Sequence, residues 1–257
     1  MMNKHSITVL KQLFEAGELS EELIANLRSD ERKGVQQLIA SYEKKQQKNK
    51  ELQEKFLQMS SYEQNCFAKG MEYIAGVDEA GRGPLAGPVV AASVILPANF
   101  ELLGLNDSKQ LTESARNRFY QTIKENAISY GISIVNSETI DQVNIYEAAK
   151  LAMRDAIKQL RPSPEHVLID AVELDKLSCP FESIIKGDAK SISIAAASIL
   201  AKVTRDHYMK ALHSEYPMYD FASNMGYGTK QHMENIKKYG VCPYHRRSFA
   251  PVKHVVS

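Results

Sequence analysis

The chain has 257 residues, 44% hydrophobic and 25% charged, with a formal net charge of +1, which excludes a disordered or fibrous chain and leaves room for one large domain or a domain with an appendage. Near-neutral charge does not exclude a nucleic-acid partner, because such an enzyme needs only a local basic face. Cys66, Cys179 and Cys242 are far apart and odd in number, no run reaches the roughly 18 apolar residues of a membrane span, and Ile7–Leu10 is too short for a signal peptide, which suits a reducing cytoplasm; a monomer is expected.

Residues 1–70 read as a helical extension, and residues 71–257 as the main domain. Ile7, Leu10, Leu13 and Phe14 recur at helical spacing up to Gly17. Ser20 caps a second helix whose Glu21 and Glu22 suit its dipole, and Ser29 or Asp30 caps a third carrying Val35, Leu38, Ile39 and Tyr42. Glu43–Glu51 lacks apolar residues and reads as an exposed continuation, after which Leu52, Phe56 and Leu57 resume a contact face. Such an arm has little core of its own.

Ile74, Ala75 and Val77 form a short buried strand stopped by Gly81, Gly83 and Pro84. Pro88–Leu96 is a second strand, antiparallel to the first. Thr112 caps a helix through Phe119 and Ile123, Tyr130–Val135 is a third strand, and Ile140–Leu160 reads as one uninterrupted helix. Val167–Asp170 and Phe181–Lys186 are the last two strands, and Ser191 or Ser193 opens a helix of small residues, Ala195–Val203, suited to close packing on a sheet. The pattern is α/β with a mixed sheet.

Acidic residues stand at the strand ends. Asp78 and Glu79 follow an apolar strand and precede glycines; neighbours on a regular strand face opposite ways, so both serve one site only if the backbone bends there. Asp170 ends another strand and Asp188 follows the fifth. Converging, the four would repel at neutral pH without cations, and all-oxygen donors suit Mg²⁺ or Mn²⁺. Such a cluster typically holds two ions for phosphoryl transfer.

Val77-Asp-Glu-Ala-Gly-Arg-Gly-Pro84, Asn106-Asp-Ser-Lys-Gln-Leu111, Leu168-Ile-Asp170, Lys186-Gly-Asp188, Ala196–Asp206, Gly226–His232 and Pro243–Phe249 together resemble bacterial ribonuclease HII over about residues 71–251. The resemblance implies an RNase H-like fold, a five-stranded mixed sheet flanked by helices. It implies hydrolysis of the RNA strand of RNA–DNA hybrids, incision at single ribonucleotides in duplex DNA, and 3′-hydroxyl and 5′-phosphate products. By matching position Asp78, Glu79, Asp170 and Asp188 become the metal-binding and catalytic carboxylates. Gly81-Arg82-Gly83 becomes the element that meets the ribose 2′-hydroxyl, and Tyr227 the sensor of the ribonucleotide–deoxyribonucleotide junction. Lys109, Ser198 and Lys202 are expected near phosphates.

The related ribonuclease HIII type uses a glutamate where this chain has Asp188, and the intact Gly-Arg-Gly with Tyr227 favours HII. A non-catalytic hybrid-binding module is the reading from another class, against which the four acids argue. Asp107, Glu173 and Asp175 lie near the motifs, and Asp206, after Arg205, reads as paired or capping. Cys242 and His245, with His232 nearby, have zinc-like spacing but lack a fourth ligand. Lys230, Lys237, Lys238, Arg246, Arg247 and Lys253 form a basic segment that could face a duplex backbone. The arm with its Lys44–Lys50 run is expected to share in nucleic-acid binding, a task that longer family members give to helices beyond the position of Phe249.

Overall fold

Four helices precede the first strand among residues 5–256, which the computed structural model describes; Met1–Lys4 and Ser257, the outer ends of the two expected domains, lie outside the described residues. Ser6 caps α1 (Ile7–Ala16) by accepting the Val9 N–H, and Ser20 caps α2 (Glu21–Arg28) by accepting that of Leu23. Next comes α3 (Lys33–Met59). It starts later than a cap at Ser29 or Asp30 implies, because the Asp30 carboxylate accepts the Arg32 N–H at 3.0 Å and pairs with its guanidinium at 2.7 Å. Residues 44–50 are exposed along it, as expected.

The described residues form two compact units, one up to Lys55 and one from Phe56 onward. The first has a core, Leu10, Leu27, Val35, Leu38 and Ile39, where the sequence suggested little. The apolar positions are sparse in each helix but face one another once three helices fold together. In the second unit Phe56 and Met59 join the main core, while Leu57 points out at 69% exposure instead of extending the contact face. α4 (Ser61–Ala68) completes the helical stretch.

The sheet is built from β1 (Ile74–Ala80), β2 (Val89–Ile95), β3 (Ser129–Val135), β4 (His166–Asp170) and β5 (Phe181–Ile184), in the order β3-β2-β1-β4-β5. β1–β2 and β2–β3 are antiparallel, β1–β4 and β4–β5 parallel: the five-stranded mixed sheet that the sequence implied. Between β2 and β3 lies α5 (Glu113–Asn126), capped by Thr112. The helix expected over 140–160 is two, α6 (Ser137–Val143) and α7 (Ile145–Lys158). Asn144 parts them: it sits at φ 70°, and its side-chain oxygen accepts the N–H groups of Tyr146 (2.9 Å) and Glu147 (3.1 Å), a fresh cap that the apolar periodicity does not reveal.

Strand alternation divides the core. Val90, Ala92 and Val94 pack beneath α8 (Ile192–Glu215), which Ser191 caps; Val89 and Ala91, with Ala75 and Val77 of β1, pack against α7. Small residues let α8 lie close. At Gly76 a Cβ would overlap the Ser193 main chain, so only glycine permits that approach. Glu63 of α4, 2% exposed, ties down the start of α8 by accepting from the Ser193 N–H (3.0 Å) and hydroxyl (2.7 Å). α9 (Phe221–Asn224), α10 (Lys230–Tyr239) and α11 (Ala250–Val256) follow, and Met209, Leu212, Tyr219, Phe221, Ile236 and Cys242 gather around Ala86 there. Among the described residues no helix is long and apolar enough to cross a membrane.

Candidate active site

The central strand does not bend after Asp78. It stays paired with β2 as far as Ala80, with Asp78 opposite Ala92 and Glu79 opposite Ala91. The two acids therefore take opposite faces: Asp78 has the parity of the α8 side, and Glu79 that of Val77 on the α7 side. β4 runs parallel with Val77 opposite Ile169, which brings Asp78 and Asp170 to the same end of the sheet. From β5 the chain turns so that the Gly187 N–H donates to Asp170 Oδ1 at 2.6 Å, and Asp188 follows in the short turn Gly187–Ala189.

One carboxylate oxygen from each of Asp78, Asp170 and Asp188 lies within 4.8 Å of the others. Glu79, expected to converge with them, is outside this set. Its Oε1 meets Arg82 Nη1 at 3.3 Å, and its Oε2 is buried with no hydrogen-bond partner. Burial, then the charges of Glu79 and Asp170, push the Asp78 carboxyl well above the usual range, although Ser198 and the Glu79 N–H pull the other way. Burial likewise raises Glu79 and Asp188. Three carboxylates held this close and largely shielded from water, Asp78 and Asp188 with raised affinity for protons, suit a hard divalent cation. Their donor set is all oxygen and fits Mg²⁺ or Mn²⁺.

Lys109 is beside the trio, its Nζ 3.7 Å from Asp188 Oδ2 and 4.0 Å from Asp107. Burial would lower its pKa, but Asp107, Asp188, Asp78 and Asp170 outweigh that and raise it. Ser198 is buried, with its hydroxyl 3.0 Å from that of Ser108. Lys202 is engaged by Asp206 at 2.7 Å, so Asp206 is paired and Lys202 does not stand free. Of the set-aside acids, Asp107 lies at the cluster, while Asp175 pairs with Lys150 and Arg154.

The turn after β1 adjoins the trio. Gly81 has φ 95°, and a Cβ there would also overlap the Arg205 guanidinium. The N–H groups of Arg82 and Gly83 have no partner among the described residues. Tyr227, 49% exposed, holds its ring edge 3.6 Å from where a Gly83 Cβ would stand. The structure thus brings Gly81–Gly83 and Tyr227 together.

The zinc-like spacing resolves into a hydrogen-bonded chain. His232 Nδ1 donates to the Tyr227 carbonyl at 2.8 Å, so its Nε2 accepts from His245 Nε2 at 3.1 Å, and His245 Nδ1 accepts the Cys242 N–H at 3.0 Å. Both rings are buried and kept neutral, His245 by desolvation and then by His232, which lower its pKa to about 4. The sequence reading also misplaced Arg246, which is not on a basic surface but fully buried, like Arg205. Nothing local marks either arginine as internal, since Arg205 precedes an aspartate and Arg246 sits in a run of cations.

The family model described as Ribonuclease HII matches residues 75–252, and that described as Ribonuclease HII N-terminal domain matches residues 6–67. A ribonuclease HII of Oceanobacillus iheyensis is 56% identical over 251 residues, which cover 98% of this chain and 96% of that protein. One of Listeria innocua is 59% identical over 224 residues, 87% of this chain and 85% of the relative. Among solved structures, the ribonuclease H2 of Pyrococcus horikoshii superposes with a TM-score of 0.62 at 30% identity, over 71% of this chain and 96% of that one.

Proposed function

This chain belongs to the ribonuclease HII family, and from that premise we propose that it hydrolyses the RNA strand of RNA–DNA hybrids and incises duplex DNA at single embedded ribonucleotides, leaving 3′-hydroxyl and 5′-phosphate ends. The observation that carries the reading is the Asp78–Asp170–Asp188 cluster at the sheet end, within one turn of free main-chain N–H groups and an exposed tyrosine. Two divalent ions, Mg²⁺ or Mn²⁺, would supply an activated water and a counter-charge for the leaving oxygen.

In this proposal Asp78, Asp170 and Asp188 hold the ions. Glu79 joins with its unpartnered Oε2 once a ligand draws it inward. The Gly187 N–H holds Asp170 in orientation. Arg82 and Gly83 offer N–H donors to the ribose 2′-hydroxyl, the group that separates RNA from DNA. The Tyr227 ring, fixed through its carbonyl by His232, packs on the adjacent deoxyribose and disfavours a further hydroxyl there. Lys109 brings a cation to the phosphate side of Asp188.

The test is cleavage of a duplex holding one ribonucleotide beside an all-DNA control, with and without Mg²⁺ or Mn²⁺. A metal-dependent internal cut at the ribonucleotide alone is expected. Cutting confined to longer RNA stretches would move the assignment to the HIII type, and no cutting at all would overturn it.

The helical arm is proposed to aid substrate binding through its exposed Lys44–Lys50 run. Cutting after Lys55 tests this better than cutting at residue 69, because Phe56, Met59 and Glu63 are built into the catalytic unit. Removal of residues 1–55 is expected to raise KM several-fold more than it lowers kcat; an unchanged KM would remove the arm from binding.

A further inference from the structure

Arg205 in α8 and Arg246 ahead of α11 are 1% and 0% exposed, and no carboxylate among the described residues forms an ion pair with either. Burying a cation without a counter-ion is strongly unfavourable, so its donors must be met by other acceptors. Here every acceptor is a main-chain carbonyl. Arg205 donates from Nε to Pro88 (3.0 Å), from Nη2 to Ala86 (3.1 Å) and from Nη1 to Met225 (3.0 Å). Arg246 donates from Nε to Gly87 (3.0 Å), from Nη1 to Arg82 (2.8 Å) and from Nη2 to Gly81 (2.6 Å).

The consequence follows from peptide planarity. In a trans peptide the C=O of one residue and the N–H of the next point in opposite directions. The Gly81 carbonyl shares a peptide with the Arg82 N–H, and the Arg82 carbonyl with the Gly83 N–H. By drawing both carbonyls inward, Arg246 turns both N–H groups outward, where they have no partner in the described chain. Arg205 fixes the other end of the same loop and, through the Met225 carbonyl, the segment leading into Tyr227. The Arg246 guanidinium also lies 5.0 Å from the Phe249 ring, which holds the fork in place.

We propose that Arg246, supported by Arg205, is a positioning residue for ribonucleotide recognition: its fork sets the Gly81–Gly83 peptides so that their N–H groups face the 2′-hydroxyl. This rests on reading that turn as the ribose contact. The planar guanidinium holds two successive carbonyls at once, which the single-point ammonium of lysine cannot do.

The experiment measures, for the full chain with Mg²⁺, the KM of a one-ribonucleotide duplex and the inhibition constant of the all-DNA duplex. The ratio of the two constants does not depend on the fraction of active protein, so a merely structural role leaves it unchanged. In Arg246→Met and Arg246→Lys the preference for the ribonucleotide duplex is expected to fall at least about tenfold, with the all-DNA constant held within about twofold. If Arg246→Met does not fold, Arg246→Lys, which keeps a cation in the cavity, carries the test. A wild-type preference that persists in Arg246→Lys overturns the positioning role alone. A wild-type chain without preference overturns the functional reading, and this inference with it.

Discussion

An Asp78→Asn chain is expected to lose at least about a thousandfold in kcat, since several kcal/mol of transition-state charge stabilisation would pass through the ions its carboxylate is proposed to hold. The fold should survive, because the amide matches the carboxylate in volume and the Asp78 oxygen accepting the Glu79 N–H, at 2.7 Å, has a counterpart in asparagine. Stability without metal should in fact improve. Burial and the neighbouring acids raise the folded-state pKa of Asp78 above its unfolded value. Between those two values the native state keeps a proton that the unfolded chain has released, so stability without metal declines as pH rises through that window. Asparagine removes Asp78's share of that decline. Divalent ions should reverse it in the wild type, giving a rise in Tm that grows with pH as metal displaces protons. Melting curves across pH, with and without Mg²⁺, check both points. A variant that still cleaves, or one whose Tm still rises with metal as in the wild type, would remove Asp78 from the metal centre.

Gly76→Ala should be the most damaging small change in the catalytic unit. The added methyl would overlap the Ser193 carbonyl carbon and oxygen, which are main-chain atoms with no rotamer to escape into. Either α8 lifts from the centre of the sheet or β1 leaves its place between β2 and β4. Overpacking of this kind costs about 3 kcal/mol, which in a unit of this size lowers Tm by roughly 6–12 °C. Activity should fall with it, because Asp78 follows Gly76 on the same face of β1, and α8 carries Ser198. A Tm within about 2 °C of the wild type would mean that helix and strand are less tightly seated than the geometry requires.

Local patterns made much of the fold legible. Ser20, Thr112 and Ser191 cap the helices they precede because a side-chain oxygen one turn ahead of a free N–H is a local relation. The apolar runs at Ile74, Val89 and Val167 became central strands because their residues are buried on both faces. Asn144 was missed: its cap requires a positive φ that neighbouring helical periodicity conceals. Leu57 was misjudged because helical spacing says which residues share a face, and not whether anything covers that face.

The sequence by itself determined the family and the mixed α/β class, and it singled out the acids proposed to carry the chemistry, since these depend on residue type and on order along the chain. The tertiary structure alone decided how those acids are arranged. Strand register put Asp78, Asp170 and Asp188 within 4.8 Å of one another, and the unbroken pairing of β1 through Ala80 turned Glu79 to the other face. It also decided that Arg246, one cation among several in the sequence, lies inside, its charge met by carbonyls of Gly81, Arg82 and Gly87, residues more than 150 positions away. Chemical character is a property of each residue, whereas burial and hydrogen-bond partners belong to pairs that only the folded chain brings together.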